Sequence, residues 1–292
     1  MLLTLLNIII PVFAVTGLGY GFARRSAVQP QLEFVNRVNM QLFCPALIFS
    51  ALLVNPVSLS NDWALMVAGV AIIIVPGLLL WLVAPKGMGK PVFLMTGMFR
   101  NTGNTGIPLM MLAYGKELLG DIMILFVLSN TLHFSVGIWL VSRGRGNWNW
   151  LRNPNIWAAV LGLLCAPWQA QIPSFVQTTA ELLGQVSIPL MLFSLGVRMA
   201  SGRIDQIGLA LRVNALYLLA GLLGVALIVW LLPLSQEWQR LLILTAALPP
   251  AVLNYLISEQ YRLETSTVAS VVLLGNLLSL AVLPVVIWLT LL

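Results

Sequence analysis

The residues best suited to chemistry form one short polar motif inside an otherwise apolar stretch. From Asn101 to Pro108 the chain reads N-T-G-N-T-G-I-P. Two glycines and a proline this close together should interrupt a helix, because glycine is flexible and proline lacks a backbone N–H. Asn101, Thr102, Asn104 and Thr105 add side-chain donors and acceptors. The motif is therefore a candidate binding site.

The position of Pro108 indicates the charge of the ligand. Proline is favoured in the first turn of a helix, so we expect a new half-helix to begin at Pro108. Free N–H groups and a partial positive charge at that helix end favour an anion. The alternative is a packing kink in which Asn and Thr side chains bond the freed backbone groups.

A second break follows in the C-terminal part, where Leu248 to Tyr255 reads L-P-P-A-V-L-N-Y. We expect the two breaks to cross in antiparallel sense, so that both positive helix ends reach one site. Its candidate binding residues are Thr245, Pro249, Pro250, Asn254 and Tyr255. Tyr255 is equally well explained as a packing residue.

Four more residues are candidates for charge or ion coupling: Arg100, His133, Asn130 and Asn276. Arg100 is costly at the membrane centre unless it is paired or hydrated, or snorkels to a membrane face. His133 is the only histidine and is either a proton carrier or a hydrogen-bonded structural residue. No carboxylate falls in the middle of an apolar segment, although Na⁺ can bind carbonyl, Asn and Thr oxygens.

The composition indicates what positions these residues. The 292-residue chain is 60% hydrophobic and 8% charged, with a mean hydropathy of +0.97, which is too apolar for a soluble domain. Ten apolar segments are long enough to span a hydrocarbon layer of about 30 Å. They lie near residues 4–23, 34–54, 63–84, 91–114, 118–142, 154–170, 178–199, 207–232, 238–258 and 265–291. We predict an all-α membrane protein with ten transmembrane helices, the first a retained helix rather than a cleaved signal.

Matching landmarks recur about half a chain apart. They are the P-A-L-I-F-S and P-L-M-L-F-S motifs at Pro45 and Pro189, the prolines Pro108 and Pro250, and the pair Asn130 and Asn276. Five segments per half is an odd number, so the halves should be inverted repeats. This arrangement is typical of secondary transporters, with the substrate site at the midplane. The alternative is coincidence, since proline is common in membrane helices.

The basic residues are distributed unevenly between alternate loops. The loops that follow odd-numbered segments, together with the segment ends that adjoin them, contain Arg24, Arg25, Arg37, Lys86, Lys90, Arg143, Arg145, Arg152, Arg198, Arg203, Arg212 and Arg262. The even loops and their adjoining segment ends contain only Lys116 and Arg240. Because basic loops stay in the cytoplasm, both termini should lie on the non-cytoplasmic side. The positive charge is thus topological, and no nucleic-acid partner is expected. The two cysteines indicate neither a disulfide nor a metal site, and no cofactor is expected.

Three functional classes compete. An enzyme needs an acid/base pair, nucleophile or metal cluster, and no suitable spacing is present. A channel needs a polar face along several helices, whereas here the polar residues concentrate at two breaks. A carrier with one alternately exposed site fits better.

At these motifs the chain resembles the auxin efflux carrier family, the bacterial relatives of plant PIN-type carriers, within the bile acid and arsenite transporter superfamily. The similarity rests on N-T-G-N-T-G-I-P, on N-P-N-I-W-A-A-V-L-G from Asn153, on S-I-P-L-M-L-F-S-L-G from Ser187, and on the pair Pro249 and Pro250. Essentially the whole chain is covered. The long cytoplasmic loop of the plant carriers is missing.

The resemblance implies a single membrane domain with crossed broken helices 4 and 9. It divides the chain into a scaffold, residues 1–60 and 153–202, and a transport unit, residues 61–142 and 203–292, that slides past it like an elevator. It implies a homodimer in the bacterial cytoplasmic (inner) membrane and substrates that are small organic anions, such as dicarboxylates or auxin-like weak acids, with H⁺ or Na⁺ as coupling ion. A sodium-coupled bile-acid-type symporter and an anion channel are the alternatives.

The charge distribution makes a prediction about topology. A cysteine introduced as Arg145→Cys should react with a membrane-impermeant maleimide only from the cytoplasm, and Glu237→Cys only from outside. The reverse labelling pattern would contradict the orientation.

Overall fold

The computed structural model describes residues 2–25, 29–55, 62–142 and 148–291, which fold into α-helices without a β-strand. The helices are α1 (Leu2–Arg25), α2 (Gln29–Val38), α3 (Cys44–Val54), α4 (Trp63–Leu82), α5 (Lys90–Met98), α6 (Ile107–Tyr114), α7 (Leu119–Leu132), α8 (Ile138–Val141), α9 (Pro154–Cys165), α10 (Ser174–Ser201), α11 (Ile207–Leu231), α12 (Gln236–Ala247), α13 (Val252–Gln260) and α14 (Thr265–Leu291). Residues 143–147, including Arg145 of the longest polar loop, lie outside the described residues.

Seven helical stretches are long and apolar enough to cross a membrane. They are Leu5–Arg25, Leu32–Val54, Trp63–Leu82, Leu119–Val141, Ser174–Ala200, Ile207–Leu231 and Thr265–Leu291. The other three expected spans are not continuous helices of that length. The fourth is divided into α5 and α6 and the ninth into α12 and α13, while α9, in the sixth, has only 12 residues before a 3₁₀ turn.

The helices pack in two main groups. The first contains α1 and α10, which lie side by side, and α3, which packs on α9 and α10. Gly19 and Gly196 allow the close approach of α1 and α10, because a Cβ at either position would collide with a carbonyl of the other helix. In the second group α11 packs on α4, α12 and α14. The first break, between α5 and α6, lies against α10 and so forms part of the boundary between the groups.

A π-helical turn precedes both Pro45 and Pro108. The turns span Asn39–Phe43 and Thr102–Gly106, and in each the residue just before the proline bonds a carbonyl five residues earlier. The wider turn accommodates a proline ring that would clash in a regular α-helix. The helix after the first break therefore begins at Thr102, and the expectation that it begins at Pro108 is wrong.

The crossing of α1 and α10 makes a prediction about stability. Gly196→Leu should lower the unfolding temperature in detergent, since overpacking a tight contact typically costs about 1–3 kcal/mol. Gly17→Leu is the matched control, because a Cβ at Gly17 meets no atom within 4 Å. Equal unfolding temperatures for the two variants would show that the close approach is not required.

Candidate functional site

The two broken segments meet, and their extended parts run antiparallel. The N–H of Asn101 donates to the carbonyl of Pro249 at 2.8 Å, and the N–H of Ala251 donates to the carbonyl of Phe99 at 3.0 Å. Each break thus supplies partners for backbone groups that the other leaves unpaired, which is required wherever water is excluded. The crossing is held by the backbone itself.

Asn276 of α14 joins both breaks through its side chain, which is only 3% exposed. Its Oδ1 accepts from Nδ2 of Asn101 at 3.1 Å, and its Nδ2 donates to the carbonyls of Pro250 at 3.3 Å and Val272 at 2.8 Å. Nδ2 of Asn101 also donates to Oγ1 of Thr105 at 2.9 Å. Because one amide bonds both breaks, Asn276 couples their positions.

Asn254 and His133 pack behind the first break. Nδ2 of Asn254 donates to the carbonyls of Phe99 at 3.0 Å and Thr96 at 3.4 Å. The His133 ring stacks on the Phe99 ring, with centroids 4.2 Å apart, and lies beside Asn254. Oδ1 of Asn254 and Nε2 of His133 are buried and have no hydrogen-bond partner among the described residues. Both side chains therefore belong to the interior of the crossing.

Arg100 is buried, with 7% of its surface exposed, so it does not snorkel to a membrane face. Its guanidinium donates to the carbonyl of Tyr217 and lies 5.8 Å from the centroid of that ring. A methyl group on Gly221 would touch both the guanidinium and the carbonyl of Ala246 in the last turn of α12. Arg100 also follows the end of α5. Two helix C-termini, each about half a negative charge, thus surround the cation.

Several predicted residues are occupied by internal bonds or lie elsewhere. The hydroxyl of Thr245 donates to the carbonyl of Leu241 within α12 at 2.7 Å. Oδ1 of Asn130 accepts from Nδ2 of Asn153, the residue before α9, at 2.8 Å. The hydroxyl of Tyr255 donates to Oε1 of Glu259 at 3.1 Å.

Asn104 differs from these residues. Its side chain is half-buried and forms no hydrogen bond within the described part of the chain, although it belongs to the π turn that follows the first break. Thr102 in the same turn is also half-buried, whereas Pro108 is buried in α6. Asn104 therefore has free donors and acceptors for a ligand.

A cavity of about 1130 Å³ opens beside the crossing, between α2 and α10 on one side and α13 and α14 on the other. Its buried end is formed by Asn276 and Val252, and its exposed residues include Arg203 and Glu259. Val252 is the first residue of α13, whose N-terminus has no side-chain cap. The N–H groups of Ala251 and Asn254 bond the carbonyls of Phe99 and Ala251, so the N–H groups without a partner inside the helix are those of Val252 and Leu253. A helix N-terminus therefore lies at the inner end.

A second cavity of about 20 Å³ lies among α1, α6, α10 and α14. Asn276 and Leu195 line both cavities, so the crossing separates a wide space from a narrow one. Thr105 lines only the narrow one.

Reasoning from sequence missed the cavity walls contributed by α2 and α10. Leu195 and Arg198 of α10 line the wide cavity, yet neither was a predicted site residue. The only available signal was Arg198 itself, a charged residue close behind the S-I-P-L-M-L-F-S-L-G motif. Which helix faces the crossing depends on tertiary packing.

The amino-acid sequence is similar to those of known membrane transport proteins. A family model described as membrane transport protein matches residues 4–143 and 140–287. Among curated relatives, the probable auxin efflux carrier component 5b of Oryza sativa subsp. japonica is 32% identical over 139 residues, covering 45% of this chain and 38% of the relative. The auxin efflux carrier component 5 of Arabidopsis thaliana is 26% identical over 144 residues, covering 46% and 41%. The matches thus span about two fifths of those relatives. Since the family model covers nearly the whole chain, this integral membrane protein belongs to the membrane transport protein family, that of the auxin efflux carriers.

Proposed function

We propose that this protein is a secondary active transporter that moves small organic anions, namely carboxylates such as dicarboxylates or auxin-like weak acids, by an elevator-type alternating-access mechanism. One observation carries the proposal: two broken segments, joined by Asn276, cross at the inner end of a large cavity. A single polar site at a crossing suits a carrier, because substrate can be exposed on one side at a time.

The anion preference follows from the helix end at the cavity. The uncapped N-terminus of α13 presents unpaired N–H groups and a partial positive charge to the space beside Val252. A second contact is proposed for the free amide of Asn104 on the other broken segment, which lies outside the lining of both cavities. A carboxylate would gain more from the positive helix end than its neutral amide would.

The finer architecture is part of the proposal. Ten spans arise if α2 and α3 form one span, if α7 and α8 form another, and if each broken pair, α5 with α6 and α12 with α13, also counts as one span. The ten spans would then form two inverted repeats of five, which cross at their broken helices. Under this scheme the two breaks occupy equivalent positions in the two repeats, whereas Pro108 and Pro250 do not. The restarts at Thr102 and Val252 are about 150 residues apart, and Pro250 lies in its break whereas Pro108 does not.

The moving part would be residues 61–142 and 203–292, the transport unit, and the static part residues 1–60 and 153–202, the scaffold. Packing supports this division, since α10 packs on α1 and α3, α3 packs on α9, and α11 is central to the other group. The wide cavity lies between the two units, with α2 and α10 on one wall and α13 and α14 on the other. Sliding of the transport unit would close this cavity and open the narrow one.

The orientation follows from the charges. The mouth of the wide cavity includes Arg37 and Arg203 from basic segments, so it would face the cytoplasm, and both termini would face the opposite side. The expected location is the bacterial inner membrane. The proposal includes a homodimer formed through the scaffold, in a lipid bilayer.

The free amide of Asn104 gives a direct test of the site. Asn104→Ala should weaken the binding of malate or indole-3-acetate to purified protein by about 10- to 100-fold, since a hydrogen bond to a charged group contributes about 1.5–3 kcal/mol. Ligand-induced stabilisation against heat is the measurement.

Asn55→Ala is the matched control, because among the described residues the side chain of Asn55 forms a single long hydrogen bond, at 3.4 Å, to the carbonyl of Lys116. Asn254→Ala should lower the thermal stability of the ligand-free protein, because the Asn254 side chain bonds the backbone of the first break. If Asn104→Ala binds both anions as tightly as Asn55→Ala, the crossing is not the substrate site.

The environment of His133 makes a prediction about coupling. His133 stacks on Phe99 and is 4% exposed, so we expect a packing role rather than proton transfer. His133→Gln should lower the free energy of unfolding by about 0.5–1.5 kcal/mol, the value of one ring pair, and leave the pH dependence of uptake unchanged. Uptake into proteoliposomes across pH 5.5–8 (roughly one unit either side of the ordinary histidine pKa), with and without Na⁺, is the measurement. Loss of the pH dependence in the variant would identify His133 as the proton carrier.

A further inference from the structure

Arg198 lies in the wall of the wide cavity on the proposed scaffold side. It belongs to α10, and its electrostatic neighbours include Tyr255 on the opposite wall and Glu33 of α2. Tyr255 and Val252 are one helical turn apart on α13, and both line the cavity. Arg198 therefore faces the same segment of α13 that forms the inner end.

The depth of Arg198 distinguishes it from the other charges of this cavity. Within the described part of the chain, six charged residues line this wall: Glu33, Arg37, Arg198, Arg203, Asp205 and Glu259. Five are exposed, and Arg198 alone is half-buried. A charge withdrawn from bulk water acts on a ligand with less screening than one at the mouth.

The distance to the inner end is short. Arg198 follows Leu195 by three residues, which is about 4.5 Å along a helix axis, and Leu195, like Asn276, lines both cavities. An arginine side chain exceeds that length. Its planar fork can hold a carboxylate by two parallel hydrogen bonds.

We infer that Arg198 is a specificity-determining residue that contacts the substrate carboxylate from the scaffold. This inference rests on the proposed function. The anion lies between the guanidinium of Arg198 and the N-terminus of α13, so each unit supplies one positive group. Because Arg198 belongs to the scaffold, the contact exists only while the transport unit faces the wide cavity. The anion consequently binds more tightly from this side than from the other.

A purely structural role predicts a different result. Arg198 lies in the last turn of α10, where a cation interacts favourably with the helix dipole. Loss of that interaction would lower the stability of the ligand-free protein and affect transport from both sides alike. An effect on transport from the cavity side alone would therefore indicate substrate recognition, and an equal effect from both sides would indicate a structural role.

The experiment compares Arg198→Gln, Arg198→Lys and Arg203→Gln with the wild type in oriented proteoliposomes, with radiolabelled malate and indole-3-acetate as probes. Arg203→Gln is the matched control, because it removes the same charge from the exposed mouth of the same cavity. KM is measured from each side of the membrane, and unfolding temperature without ligand is measured in parallel.

We expect Arg198→Gln to raise the ratio of cavity-side KM to opposite-side KM by about 10- to 100-fold. Arg198→Lys keeps the charge but loses the planar fork, so its ratio should lie between those of the wild type and Arg198→Gln. Arg203→Gln should change the ratio less than about threefold, as expected for a screened surface charge. An unchanged ratio in Arg198→Gln, or equal ratios in Arg198→Gln and Arg203→Gln, overturns the inference while wild-type uptake still supports the proposed function. Absence of saturable uptake of either anion by the wild type overturns the proposed function itself.

Discussion

The structure depends on one constraint: a backbone broken inside an apolar layer must find hydrogen-bond partners within the protein. A single broken segment cannot satisfy this requirement, since its unpaired groups would face lipid. Here the two breaks satisfy each other through the bonds from Asn101 to Pro249 and from Ala251 to Phe99. Each break is thus stable only because the other is present.

Side chains then fix the crossing in place. The amide of Asn276 bonds both segments, and Asn254 bonds the backbone of the first break from the second. Arg100 occupies the region where α5 and α12 end, and its charge offsets the negative helix ends that the breaks bring together. Breaking any of these bonds is costly in a medium of low dielectric constant, so together they restrain the crossing, although Oδ1 of Asn254 has no partner among the described residues.

This rigidity contrasts with the boundary between the two helical groups. At that boundary α10 packs along the first break, and both cavities lie between helices of different groups. Under the proposed mechanism, a rigid crossing beside a cavity-lined boundary would let the site move as one body. The binding groups would then not need to rearrange when the exposure of the site changes.

The sequence by itself determined that this is a helical membrane protein with two broken segments, because hydropathy, glycine and proline act locally on the backbone. It also marked Asn101, Asn254 and Asn276 as unusual, since amides in apolar segments need partners. Only the tertiary structure decided which partners they have, and it moved the helix restart from Pro108 to Thr102 because a π turn accommodates the proline.

Tertiary structure likewise decided that His133 packs on Phe99 and that Arg198 lines the cavity. Both outcomes depend on which faces of distant helices meet. That choice is set by close contacts such as Gly19 and Gly196, whose partners lie far away in the chain, and local sequence carries no information about them.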